Sequence, residues 1–339
     1  MSRRRALLSY VAARLALVPV MLWLIASLVF LLLRVAPGDP IDALLGSRAP
    51  EAARAALRQQ LGLDQPLLRQ YGSFLGHLLR GDLGTSLGSQ EPVTRIISGS
   101  LPASLELGGV ALLLAALLGL AVGFSGIARS EGWVDLGGRL FGIGTYALPP
   151  FWAAMVMQLV FAVALGWLPV GGRFPSTLLP PSGSGFYLLD SLRQGNWPQL
   201  AGTLRHLVLP ATTLGLLLSG IFTNALRLNL RRALASDYVE AARSRGLSER
   251  RVVIHHALPN ALLPVLTIAG ITVASLIGGA LLIEVTFSWP GIAFRLQEAI
   301  AQRDYPVVQG IVVVVAALVV LISVVVDMLV ALLDPRIRF

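Results

Sequence analysis

The chain has 339 residues, of which 55% are hydrophobic and only 13% charged, with a mean hydropathy of +0.74. Soluble domains carry roughly 25% charged residues, so this composition excludes an ordinary soluble domain and describes a polytopic membrane protein. The formal net charge of +9 comes from arginines scattered among apolar spans, with no lysine and no cysteine anywhere; a continuous basic face for nucleic acid, a standard P-loop, a disulfide and a thiolate nucleophile are all excluded.

The first apolar run, Leu15 to Leu33, follows Arg3, Arg4, Arg5 and Arg14. The start has the look of a twin-arginine export signal, but the run approaches the roughly 20 residues that cross a bilayer and exceeds the about 7–15 of a signal peptide. No small-x-small cleavage site follows, so a retained first helix with a cytoplasmic start is expected. Residues 37–100 are too polar to span and hold Pro40, Pro50, Pro66 and Pro92 with balanced charge. This predicts an extracytoplasmic segment with a short helix from about Glu51 to Leu61.

Five more spans are predicted over Leu101–Ile127, Leu140–Leu165, Leu207–Leu228, Leu262–Ile283 and Val307–Leu333. An even number places both termini on one side. Arginine is denser in loops 128–139 and 229–261 than in 166–206 and 284–306, which puts the first pair in the cytoplasm. The Gly-, Pro- and Ser-rich stretch from Gly166 to His206 reads as an irregular external connection. The expected division is therefore 1–36, cytoplasmic start and first span; 37–100, extracytoplasmic segment; 101–333, five-helix core containing the loop 229–261; and 334–339, cytoplasmic tail.

One polar island, Asp237 to Asn260, separates two apolar segments. Asp237 with Glu240 three residues on has the form of a capping box, and Gly246 suits the left-handed position that ends a helix. Ser248 is placed as a second N-cap, with Leu247 and Val252 spaced as a hydrophobic staple. Two short helices joined at a glycine are expected. Ala241 and Ala242 supply a smooth face for a helix-in-groove contact, with Arg243, Arg245, Arg250 and Arg251 around it. A plain cytoplasmic loop whose arginines only fix topology has the same composition.

Glu240-Ala241-Ala242, Gly246 after three residues, and His256-Ala257-Leu258-Pro259 after nine more resemble the EAA loop of ABC importer permeases. The departure is His256, where that pattern has isoleucine. Ala36-Pro37-Gly38-Asp39-Pro40, Gly81 to Ser86, Glu284 to Gly291, Arg303 to Gly310 and Asp334 to Arg338 are similar to stretches of the dipeptide, oligopeptide and nickel branch. The chain is similar to the first permease of a dipeptide-type system over nearly its whole length.

The resemblance implies an all-α type I importer permease fold of six transmembrane helices. It implies a second permease, two ATPase subunits that bind ATP and Mg, an external solute-binding protein and a bacterial inner-membrane location. No cofactor is expected on this chain. It assigns ATPase coupling to Asp237, Tyr238, Glu240, Ala241, Ala242, Arg243, Gly246, Leu258 and Pro259, and an external gate to Glu284, Phe287 and Trp289. An ion-gradient-driven secondary transporter and a non-transporting scaffold are the rival readings; neither repeats nor mid-membrane helix breaks signal the former.

Charge at mid-membrane costs about 2.5–3.5 kcal/mol on the insertion scale. Asp327, inside the last run, is therefore expected to face the bundle interior and pair with an arginine or a backbone donor. Glu106 is expected at the interface, and Trp289 as an interfacial anchor beside a Pro290-Gly291 turn. His255 and His256 point about 100° apart on a helix and have no further ligand cluster, so metal binding is not expected.

Overall fold

In a computed structural model, residues 3–35, 41, 45, 49–125 and 132–333 are described. Ala36 to Pro40 and Asp334 to Arg338, two of the stretches that carried the resemblance, lie outside them. The described chain is built from helices, with a single isolated bridge, Thr85 to Pro92, in place of sheet.

The helices are α1 (Arg3–Val35), α2 (Glu51–Gln60), α3 (Leu67–Leu79), α4 (Val93–Phe124), α5 (Trp133–Ala147) and α6 (Pro150–Met157), which continues as a π-helix over Gln158–Ala164. Then come α7 (Tyr187–Gln194), α8 (Trp197–Leu234), α9 (Asp237–Ser244) and α10 (Glu249–Arg251), the last running through a π-helix at Val252–Ala257 into α11 (Leu258–Gly279). The chain closes with α12 (Leu281–Thr286), α13 (Ile292–Ala301) and α14 (Tyr305–Leu333).

Among the described residues five helices are long and apolar enough to cross a membrane, and a bent pair makes a sixth span if counted as one. The bent pair corrects the expected straight span Leu140–Leu165. Pro149 and Pro150 follow Leu148; proline disfavours the α region in the residue before it and supplies no N–H to continue the ladder. The chain therefore turns by 103° between α5 and α6.

Helices α4 and α8 form the centre. Along α4 the buried positions Ala103, Leu107, Ala111, Ala115, Gly119 and Gly123 recur every four residues and make one smooth stripe. A Cβ on Gly119 would lie 2.5 Å from the Phe222 Cβ, and one on Gly215 would lie 3.0 Å from the Ala111 carbonyl. Membrane helices have little hydrophobic drive to associate in lipid, so close backbone approach of this kind is what holds them. Thr223 Oγ1 adds a hydrogen bond to the Gly119 carbonyl at 3.2 Å.

Around this pair, α1 packs on α14, and the Arg14–Asp327 ion pair at 2.9 Å joins them. Asp327 thus pairs with an arginine, one of the two kinds of partner expected of it. Helix α2 confirms the expected short helix; α3 was unforeseen, and docks on α1 through Phe30 against Tyr71 and Phe74, with ring centroids 5.3 and 5.6 Å apart. The 38 residues of α8 span about 57 Å at 1.5 Å per residue, against about 30 Å of hydrocarbon. Its two ends therefore serve two separate regions.

Candidate coupling site

At the C-terminal end of α8, the polar island folds as the expected elbow, with three corrections. Ser236, not Asp237, is the N-cap of α9; its backbone is extended and its hydroxyl donates to the Ala233 carbonyl. Asp237 is the first helical residue and no capping box with Glu240 forms. Both carboxylates still stand in the first turn, where the helix dipole favours negative charge.

The second correction concerns the smooth face. Ala242 is 6% exposed and turns inward with Val239, whereas Ala241, Tyr238, Glu240 and Arg243 face outward. Only Ala241 is left to offer a close approach from outside. The third is a π-helix at Val252–Ala257 where a plain helix was expected. Pro259 has no N–H, and its ring crowds the His255 carbonyl four residues back; widening the preceding turn relieves that clash. The Asn260 side chain donates to the His256 carbonyl at 3.0 Å.

Gly246 takes φ +77° and its N–H donates to the Arg243 carbonyl at 2.9 Å, the left-handed stop the spacing predicts. Ser248 is the N-cap of α10 by backbone conformation, and Leu247 packs on the same cluster as buried Val252, as a staple requires. Sequence reasoning missed the clamp across the turn. Arg243 donates from Nε to Glu249 Oε2 at 3.0 Å and from Nη2 to Oε1 at 2.6 Å, while Nη1 reaches the Leu234 carbonyl at 3.4 Å. One side chain thus ties the end of α8 to both helices of the elbow. The hydrogen bonds from Arg243 hold the Glu249 carboxyl below the usual carboxylate range.

Beneath the elbow, Val239, Ala242, Val252 and Ala257 share one apolar cluster with Ala115 of α4, Phe222, Leu226 and Leu230 of α8, and Ala261 and Val265 of α11. Leu258 packs on this cluster and Pro259 is exposed. Displacing the elbow therefore moves side chains packed against three transmembrane helices. Beside it Asp135 gathers Arg227, Arg231 and Arg139, a cluster whose members lie up to 96 residues apart in sequence.

At the other end, the candidate gate residues are interior. Glu284 is 0% exposed and accepts from Ser104 Oγ at 2.5 Å and from the N–H groups of Ala293 and Phe294 at 3.0 Å each. Its carboxylate caps α13 from a distance, and Gly291 leaves it room. Trp289 is 0% exposed and donates to the Ala103 carbonyl at 2.9 Å, so the expected interfacial anchor is a buried strut; Phe287 is buried beside it. Glu106 is likewise corrected from interface to interior, bonded to Arg173 at 2.7 Å and to the Leu188 N–H at 2.7 Å. The stretch Gly166–His206 is not wholly irregular: it contains α7 and buries Arg173 and Asp190.

A bundle of apolar helices with a compact polar elbow on one end and buried, hydrogen-bonded polar groups at the other fits a membrane transport subunit. Residues 112–339 match the family of binding-protein-dependent transport system inner membrane components, and residues 7–108 match the N-terminal family of the same systems. The chain belongs to this family: it is the membrane-spanning permease subunit of an ABC importer and not an enzyme, and ATP hydrolysis lies in separate subunits.

The chain is 40% identical over 334 residues to the di/tripeptide transport system permease protein DppB of Pseudomonas aeruginosa, covering 98% of this chain and 99% of that one. It is 40% identical over 309 residues to the probable D,D-dipeptide transport system permease protein DdpB of Escherichia coli, covering 91% of each. The glutathione transport system permease protein GsiC of Salmonella choleraesuis is 34% identical over 98% of this chain and 100% of its own length.

Proposed function

We propose that this permease carries short peptides inward across a bacterial inner membrane, with both termini in the cytoplasm. It pairs with a second permease, rests on two ATPase subunits that hold ATP and Mg, and receives substrate from an external solute-binding protein. The chain itself binds no nucleotide. The relatives named for di/tripeptides, D,D-dipeptides and glutathione support a peptidic substrate.

Asp237, Tyr238, Glu240, Ala241, Arg243, Gly246 and Pro259 form or brace the surface that an ATPase subunit grips, with Ala242 and Leu258 as its inner anchor. The observation that carries this reading is the apolar cluster common to the elbow and to α4, α8 and α11. When the ATPases close, the elbow moves and the core of the bundle follows. Glu284, Phe287 and Trp289 belong to the outer closure, and opening that end parts Glu284 from the backbone donors of α13. Copurification of the tagged chain from its own membranes tests the assembly: an ATPase subunit and a second permease are expected. Uptake by the chain alone in vesicles, without nucleotide, would overturn it.

A further inference from the structure

The region opposite the elbow holds a half-open polar cavity of about 460 Å³, within the 300–1,000 Å³ range of small-ligand sites. Its wall includes Glu91 just before α4, Arg95 and Gly99 in the first turns of α4, Arg173 and Tyr187 from the connection before α8, and α13. Neither the elbow nor the buried Glu284 cap accounts for it.

Arg173 is the built part of the wall. It is 6% exposed, and its guanidinium lies 3.8 Å over the Tyr187 ring. All its hydrogen bonds leave from Nη2, to Glu106 at 2.7 Å and to the Gly185 carbonyl at 2.6 Å. Nε is buried without a partner, and Nη1 donates to no described residue. A buried, oriented guanidinium with idle donors suits a carboxylate, because its planar fork is already fixed.

Arg95 is the second cation. It stands in the first turn of α4, where the helix dipole disfavours positive charge and no acidic residue offsets it. Arg95 and Glu91 are both exposed and neither makes an ion pair with a described residue. The cavity therefore presents exposed charge of both signs on Arg95 and Glu91, beside an Arg173 whose charge Glu106 already offsets but whose donors are not all used. Such an arrangement suits a small ligand with an anionic and a cationic end.

We propose that this cavity is a low-affinity site for the termini of a short zwitterionic peptide: Arg95 and Arg173 take the carboxylate, and Glu91 takes the ammonium. The proposal rests on the peptide-import reading above and gives that substrate a station on the permease itself.

The test exploits the absence of cysteine. Gly99 is exposed in the cavity wall, and a Cβ there meets nothing within 4 Å, so Gly99→Cys adds a single thiol without a clash. Its maleimide labelling is followed by mass on this chain, in nanodiscs with the partner permease and without nucleotide. Dialanine at about ten times its Kd is expected to slow labelling about tenfold, the mass-action factor for an occupied site. N-acetyl-dialanine amide should not slow it, and Arg95→Gln or Glu91→Gln added to Gly99→Cys should abolish the protection.

Unchanged labelling at millimolar dialanine overturns the site, as does equal protection by the blocked peptide. Protection by the solute-binding protein alone, with none from dialanine, also overturns it and makes the cavity a docking surface. Peptide uptake by the complete importer is measured in parallel. Uptake without protection removes this site and leaves the importer reading in place, whereas absence of peptide uptake strikes the importer reading first.

Discussion

Replacing Gly246 separates two explanations of why a glycine stands at the elbow. A Cβ there meets nothing within 4 Å, so Gly246→Ala creates no clash with this chain. The cost is instead backbone strain at φ +77°, about 1–2 kcal/mol for a left-handed non-glycine residue. The smaller entropy of the unfolded chain returns about 0.4–1 kcal/mol. The net, near 1 kcal/mol, changes the population of the native turn about fivefold.

Asparagine tolerates the left-handed region and valine does not. If backbone conformation alone governs coupling, the order of transported peptide per ATP is glycine, asparagine, alanine, valine. If the ATPase instead needs bare backbone at 246, asparagine, being larger, falls below alanine. The assay is uptake and hydrolysis measured together in proteoliposomes with the whole importer, after insertion is confirmed. Wild-type stoichiometry in the alanine and valine variants would refute the elbow as the transmitting element.

Glu284→Ala strands three donors, Ser104 Oγ and the N–H groups of Ala293 and Phe294; with about 1–3 kcal/mol for each buried unsatisfied group, a loss of about 3–9 kcal/mol is expected. Glu284→Gln keeps one oxygen for the backbone pair and should lose about 1 kcal/mol by thermal unfolding in nanodiscs; equal losses in the two variants would remove the capping role. The Glu249 carboxyl titrates lower in the folded chain than in the unfolded one, so the Arg243 clamp contributes fully above the usual carboxylate range and fades as pH falls through the depressed value. A double-mutant cycle on this exposed pair should give about 0.2–1 kcal/mol near neutral pH, lost only as acid protonates the carboxyl below the usual carboxylate range; loss on the alkaline side would contradict the assignment. Gly119→Val drives atoms into Phe222, and about 1–3 kcal/mol of overpacking is expected in the same unfolding measurement.

Local chemistry made the elbow legible. Gly246, Ser248 and the Leu247–Val252 spacing act within a few residues, and each stands as the sequence implied, because left-handed turns and staples are set by neighbours in the chain. The capping box failed because Ser236, one residue earlier, took the cap. The spans were legible as apolar runs, but the 103° turn at Leu148-Pro149-Pro150 was hidden by a run whose length alone suited a single span. The buried charges were the least legible. Glu106 and Arg173 are 67 residues apart, and Asp135 and Arg231 are 96 apart, so neither partner announces the other. Trp289 was misread because an aromatic beside Pro-Gly at a span end suits the membrane interface equally well; its partner, the Ala103 carbonyl, is 186 residues away.

The seam between α4 and α8 carries a historical consequence. Where Gly119 faces Phe222 there is no slack for even one methyl group. The Ser219 carbonyl would also stand 2.6 Å from an added Cβ, so the backbone of α8 itself closes the space and trimming Phe222 cannot open it. Across related permeases position 119 should therefore stay glycine whatever residue stands opposite it at 222.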